Sequence, residues 1–184
     1  MKKIFLFITV LGFLLSGCVN DGINANEDFA GDSLSGSGLI VRASNVEPVT
    51  GSSMATGDVE GPVIFTGNDI EWFNETTREI RFKNNVSMKA AFSNVQAIKF
   101  FIDGEYLFSS VVYVISLSSQ IINSLVLYYN VMENKYYLLD GYPPDSSILE
   151  NAGAEDTRGD NMQAISSEWN RFINRLKEDG KLKN

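Results

Sequence analysis

"IKFFIDGEYLF", Ile98 to Phe108, decides the fold. Asp103-Gly104 stands between two runs of strand formers, and this dipeptide suits a type I′ turn, whose two central residues both need positive φ. Ile98, Phe100 and Ile102 supply one arm. Leu107, Val111 and Tyr113 supply the other, which "VVYVI" extends through Ile115. Strands joined by two residues pair antiparallel, because a parallel pair needs a long crossover. The stretch therefore predicts a hairpin and, with it, an antiparallel sheet.

Upstream, "GLIVRAS" (Gly38 to Ser44) reads as an opening strand, and Asn45 to Gly61 is loop-like, with Pro48, Gly51 and Gly57. "VIF" then leads into "DIEWFN" (Asp69 to Asn74), a turn at "ETTR", and the alternating "EIRF" (Glu79 to Phe82). Period-two alternation places Ile70 with Trp72 on one face and Ile80 with Phe82 on one face, leaving Glu71, Glu79 and Arg81 wet. Downstream, "LVLYYNV" (Leu125 to Val131) and "KYYLLDGY" (Lys135 to Tyr142) form a second hairpin around Met132-Glu133-Asn134. Pro143-Pro144 ends it, because proline has no N–H for the ladder. Ser146 to Gly159 reads as loop.

The last element is a helix. Asp160 is placed to cap it, with Gln163 three residues on as a capping-box variant. Met162, Ile165, Trp169, Phe172, Ile173 and Leu176 recur at three- and four-residue steps, and Gly180 suits the residue just past the end. Hairpins followed by one amphipathic helix predict an α+β fold, a mostly antiparallel β-sheet with the C-terminal helix packed on it. About 145 residues, 39–184, suffice for a single globular domain.

The N-terminus carries a different message. Met1-Lys2-Lys3 is a positive leader, Ile4 to Leu15 is apolar and uncharged, and Ser16-Gly17 are small. The apolar run is well short of the roughly 20 residues a spanning helix needs, so residues 1–17 read as an export signal. Cys18, the one cysteine of the chain, follows directly, and Leu15-Ser16-Gly17-Cys18 resembles the lipobox of bacterial lipoproteins. That resemblance implies acyl groups on Cys18 and an anchor at the membrane, where several chains hold stably and one would not. Residues 18–38 are rich in Gly, Ser, Asn and Asp and read as a flexible tether. Within it Asp32-Ser33-Leu34 matches a short O-glycosylation pattern of Bacteroidetes envelope proteins, with Ser33 as the acceptor.

Charge and composition exclude several functions. Loss of Lys2 and Lys3 with the signal takes the formal charge from −8 to −10, which opposes nucleic acid and an electrostatic membrane patch. With no histidine and its one cysteine acylated, the chain lacks Ser-His-Asp and Cys-His nucleophilic sets and the usual zinc ligands. Carboxylates that might act as a pair, Asp103 with Glu105, Asp69 with Glu71, or Asp140 near Tyr142, have local explanations in turns and strands. Glu155, Asp156 and Asp160 do not fit a calcium-loop spacing. No catalytic residue, metal or cofactor is expected.

Aromatics carry the remaining signal. Adjacent pairs, Tyr128-Tyr129 and Tyr136-Tyr137, must send one ring to each face of a sheet. Trp72, Tyr128, Tyr136 and Tyr142 are the candidate ligand-facing rings, since flat rings give large contact at small entropy cost. The alternative is a core on both faces of the sheet.

"GNDIEWFNETTREIRF", "LVLYYNVMENKYYLLDGYP" and "WNRFINRLKEDGKL", in that order, resemble a lipoprotein family of gut Bacteroides-type Bacteroidetes. The resemblance spans most of Val63 to Leu182. It implies a cell-envelope location at the outer membrane and carries over no functional residue. The expectation is a non-catalytic, lipid-anchored interaction subunit for another envelope protein, or alternatively an accessory glycan-binding lipoprotein of a polysaccharide-uptake system.

Overall fold

A computed structural model describes residues 38–44, 61–113 and 120–184. Cys18 and Ser33 lie outside them. Among the described residues nine strands form one sheet: β1 (Leu39–Ser44), β2 (Val63–Thr66), β3 (Ile70–Asn74), β4 (Glu79–Phe82), β5 (Ala97–Ile102), β6 (Glu105–Tyr113), β7 (Val126–Asn130), β8 (Lys135–Leu139) and β9 (Leu182–Lys183). The helices are α1 (Asn85–Phe92), α2 (Ser146–Asn151), α3 (Arg158–Ala164) and α4 (Ser166–Glu178). The fold is α+β.

The strand order, β2-β1-β5-β6-β7-β8-β4-β3-β9, dictates the shape of the sheet. β2 and β3 are first and eighth, so in a flat sheet they would stand roughly 34 Å apart at the usual interstrand spacing. Yet only the 3₁₀ turn Gly67–Asp69 joins them, a link of about 14 Å at full stretch. The sheet must therefore curl until its two sides approach, and Phe65 of β2 indeed packs 5.0 Å from Phe82 of β4. The corner is fixed by Asp69, whose carboxylate accepts from the Thr66 amide at 2.7 Å and from its hydroxyl at 3.0 Å.

The hollow of the curl is filled by helices. From α4, Phe172 meets Phe73, Phe100 and Phe108 at 5.7 Å each, reaching strands on both sides. From α1, Phe92 meets Phe65, Phe82 and Tyr136 at 5.6–6.0 Å. A buried Phe or Leu contributes about 1.5–3 kcal/mol, and α4 alone buries Trp169, Phe172, Ile173 and Leu176. Its end has two reciprocal turn bonds, Gly180 N–H to Lys177 O at 3.1 Å and Lys181 N–H to Leu176 O at 2.8 Å, with Gly180 at φ 68°. The Asp103-Gly104 turn has φ 52° and 82°, as a type I′ turn requires.

The sheet is mostly antiparallel, as expected, with two parallel pairs, β6–β7 and β3–β9. Three expectations need correction. Ile70 and Trp72 do not share a face. A bulge at Glu71 shifts the register, so Ile70 and Phe73 are buried while Trp72 turns to the outer side. Asp160 caps nothing: the helix begins earlier, at Arg158, and breaks at Ile165 (φ −106°, ψ 15°) into α3 and α4. The break lets α3 follow the Asn123 segment, to which Asn161 donates its side-chain amide, while α4 follows the core. Finally, Ser146 to Gly159 is not all loop. Asp145 accepts from the Ser147 amide at 2.9 Å and starts α2, just as Asn84 accepts from Ser87 and starts α1, a short helix without a long apolar stripe.

Candidate binding face

β7 and β8 pair Tyr128 with Tyr137 and Tyr129 with Tyr136. Alternation along each strand sends Leu127 and Tyr129, and across from them Tyr136 and Leu138, into the core. The outward pair is therefore Tyr128 and Tyr137, both half-buried, with ring centroids 6.4 Å apart and planes at 26°. Tyr142, beyond the end of β8, brings its ring within 5.3 Å of Tyr128. The paired bonds between Ile122 and Tyr142, each 2.8 Å, hold its backbone in place.

Tyr136 does not face a ligand. It is 2% exposed, packed among Phe82, Phe92 and Tyr129, and its hydroxyl has no hydrogen-bond partner among the described residues. Burial, with the neighbouring Tyr129, pushes its phenol well above the ordinary value. The reason is register: a four-residue turn, Val131 to Asn134, sets Asn130 opposite Lys135, which turns the first tyrosine of "KYYLL" inward. Tyr137 takes the place expected of Tyr136, and counting the turn would have found it. Its hydroxyl donates to Glu133 at 2.6 Å, and partial burial together with that bond raises its pKa.

Trp72 lies on the same outer side but apart from the tyrosines. Across it stands Arg81, and the Lys183 ammonium sits 4.1 Å from its ring. Between Trp72 and Tyr137 runs a bar of paired charges: Glu79 with Lys135 at 3.1 Å and Arg81 with Glu71 at 3.8 Å. The structure thus groups Tyr128, Tyr137 and Tyr142 and leaves Trp72 as a second, separate ring.

The carboxylates considered for catalysis are engaged elsewhere. Asp103 accepts the Gly38 amide at 2.6 Å, Glu105 pairs with Arg171 at 2.6 Å, and Asp69 holds the β2–β3 corner. Glu71 faces Arg81, and Asp140 faces Arg78 at 3.0 Å. Among the described residues no three carboxylates converge as a group that could hold a metal. What the tyrosine face offers is contact: three rings, one phenol locked by Glu133, and charges neutralised by one another at the border. No family model, curated protein or solved structure matches the chain.

Proposed function

We propose that the chain is a non-catalytic binding module of a bacterial envelope, held at the outer membrane by acyl groups on Cys18, that docks another envelope protein. The observation that carries this reading is the Tyr128–Tyr137–Tyr142 group on the side of the sheet away from α1 and α4. Tyrosines are enriched in the centres of protein interfaces because they bury much area with few rotors. The surrounding ion pairs are already satisfied, so docking there leaves no unpaired charge. The lack of histidine and the engagement of the candidate carboxylates support a binding rather than a catalytic role.

The full chain, immobilised and exposed to detergent-solubilised native envelope, should retain one protein in near-stoichiometric amount. The Tyr128→Ala/Tyr137→Ala double variant should lose it while keeping its thermal midpoint within a few degrees. Retention unchanged by that pair sinks the docking face. The second reading, an accessory glycan-binding lipoprotein, rests on the 26° angle between the Tyr128 and Tyr137 planes, a near-parallel platform for sugar rings. Loss of signal on a glycan array in the same double variant, with no protein retained by the wild type, selects it.

A further inference from the structure

A cleft of about 570 Å³ opens where the β3–β4 turn meets the end of β8 and the start of α3. Two arginines line it, and they are used differently. Arg158 is committed to its own loop: Nε donates to Asp156 at 2.7 Å, Nη1 to the Pro143 carbonyl at 2.9 Å, and Nη2 again to Asp156. Its stem crosses over Gly141, where a Cβ would stand 2.3 Å from Arg158 Cδ and 2.5 Å from the Ile122 carbonyl oxygen. Arg158 is a wall.

Arg78 is not committed in this way. Its guanidinium carbon stands 4.3 Å from the Trp169 ring centroid, which fixes the fork without consuming a donor. Nη2 meets both oxygens of Asp140, at 3.0 and 3.4 Å, whereas the buried Nη1 has no hydrogen-bond partner among the described residues. Asp140 therefore holds one prong of the fork, and its side chain is 41% exposed. A carboxylate that approaches along the fork makes two parallel bonds, the arrangement guanidinium favours. Turning Asp140 outward frees that edge. Ser146, Leu139 and Pro144 also line the cleft, a mixture of polar and apolar residues that suits a ligand carrying both hydroxyls and carbon surface. The volume is that of sites for small organic ligands, far larger than a bare ion needs.

We infer that this cleft binds a small hydroxylated carboxylate of the sugar-acid class, with Arg78 receiving the carboxylate and Asp140 as the internal competitor it displaces. The two arginines and two aspartates leave the cleft neutral, so an added anion is best tolerated when Asp140 swings away or is replaced by asparagine. The inference does not depend on the tyrosine face and stands or falls without it.

The test is calorimetry on the full chain at low ionic strength, with glucuronate as probe and glucose as its neutral match. Glucuronate should bind saturably, and glucose should bind at least about tenfold more weakly, since it lacks the group that pairs with the fork. Arg78→Gln should weaken glucuronate at least about tenfold, and Asp140→Asn should tighten it severalfold. Equal affinity for the two sugars, no saturable heat from glucuronate, or an Asp140→Asn variant that binds more weakly overturns the inference. Because Arg78→Gln also removes the contact with Trp169, Asp140→Asn carries the test if that variant fails to fold.

Discussion

β7 and β8 carry two tyrosines each, and the two faces of this one hairpin treat them differently. On the inner face Tyr129 and Tyr136 lie 4.7 Å apart under α1, with Phe92 against Tyr136 and Lys89 over the Tyr129 ring. On the outer face Tyr128 and Tyr137 stay half-exposed, and the phenol of Tyr137 is tied to the turn by Glu133. Composition is the same on both sides, so residue type says nothing about role here. What separates core from surface is whether a helix covers the ring, which is decided far away in sequence.

The largest break between the faces should come from the element that fills the hollow. Phe172 is fully buried and touches four other rings, Phe73, Phe100, Phe108 and Trp169. Phe172→Ala should cost about 3–5 kcal/mol by lost transfer energy and a cavity spanning both sides of the curl. Tyr128→Ala on the outer face should cost well under half of that, roughly 1 kcal/mol, because its ring is already partly in water. Urea unfolding of the two variants checks the contrast, and equal losses would mean the outer ring belongs to a core.

A finer contrast lies within the inner pair. The Tyr129 hydroxyl donates to Asn134 at 2.7 Å, while the Tyr136 hydroxyl is buried with no partner among the described residues. Tyr129→Phe should therefore destabilise by about 1 kcal/mol, the ordinary net value of a hydrogen bond, and leave the Asn134 carbonyl short of a donor. Tyr136→Phe should be neutral or stabilise by up to about 1 kcal/mol, because it removes a polar group that burial leaves unpaired. The same substitution one strand apart should thus change sign. Matching losses would show that the Tyr136 hydroxyl has a partner after all.

How much of this was readable follows from the range of each interaction. The Asp103-Gly104 turn was legible because its chemistry is contained in two residues, and the α4 stripe because its period repeats within one helix. The curl was not. It follows from Gly67–Asp69 joining the first and eighth strands of the sheet, and no local pattern announces strand order. The Glu71 bulge hid for a related reason: one extra residue moves Trp72 out and Phe73 in, and alternation alone cannot see it. α1 escaped because a short helix opened by Asn84 rests on its cap and on Met88 and Phe92 reaching the core, not on a long stripe. At the candidate face the existence of inner and outer tyrosines was legible, whereas the choice between Tyr136 and Tyr137 turned on the length of one turn. The Arg78 cleft draws on separate segments from the β3–β4 turn to α3, and sequence alone had no means of joining them.

The smallest effect should appear only in alkali, and it distinguishes the faces by cause. Tyr136 is raised above its ordinary 10.0 chiefly by burial, then by Tyr129. Tyr137 is raised by partial burial and then by the bond to Glu133. In both cases the folded state keeps the phenol proton to higher pH than the unfolded chain does. Stability is therefore unaffected below about pH 10 and falls as pH rises above it, since the unfolded chain then binds fewer protons. Urea midpoints measured from pH 9 to 11 should decline above pH 10 in the wild type. Tyr136→Phe should flatten the decline by removing the buried titration. Glu133→Gln should flatten the other part, because an uncharged acceptor no longer opposes the Tyr137 phenolate. A decline untouched by Glu133→Gln would leave burial as the sole cause on the outer face too, and would make Tyr137 less a surface ring than its neighbours suggest.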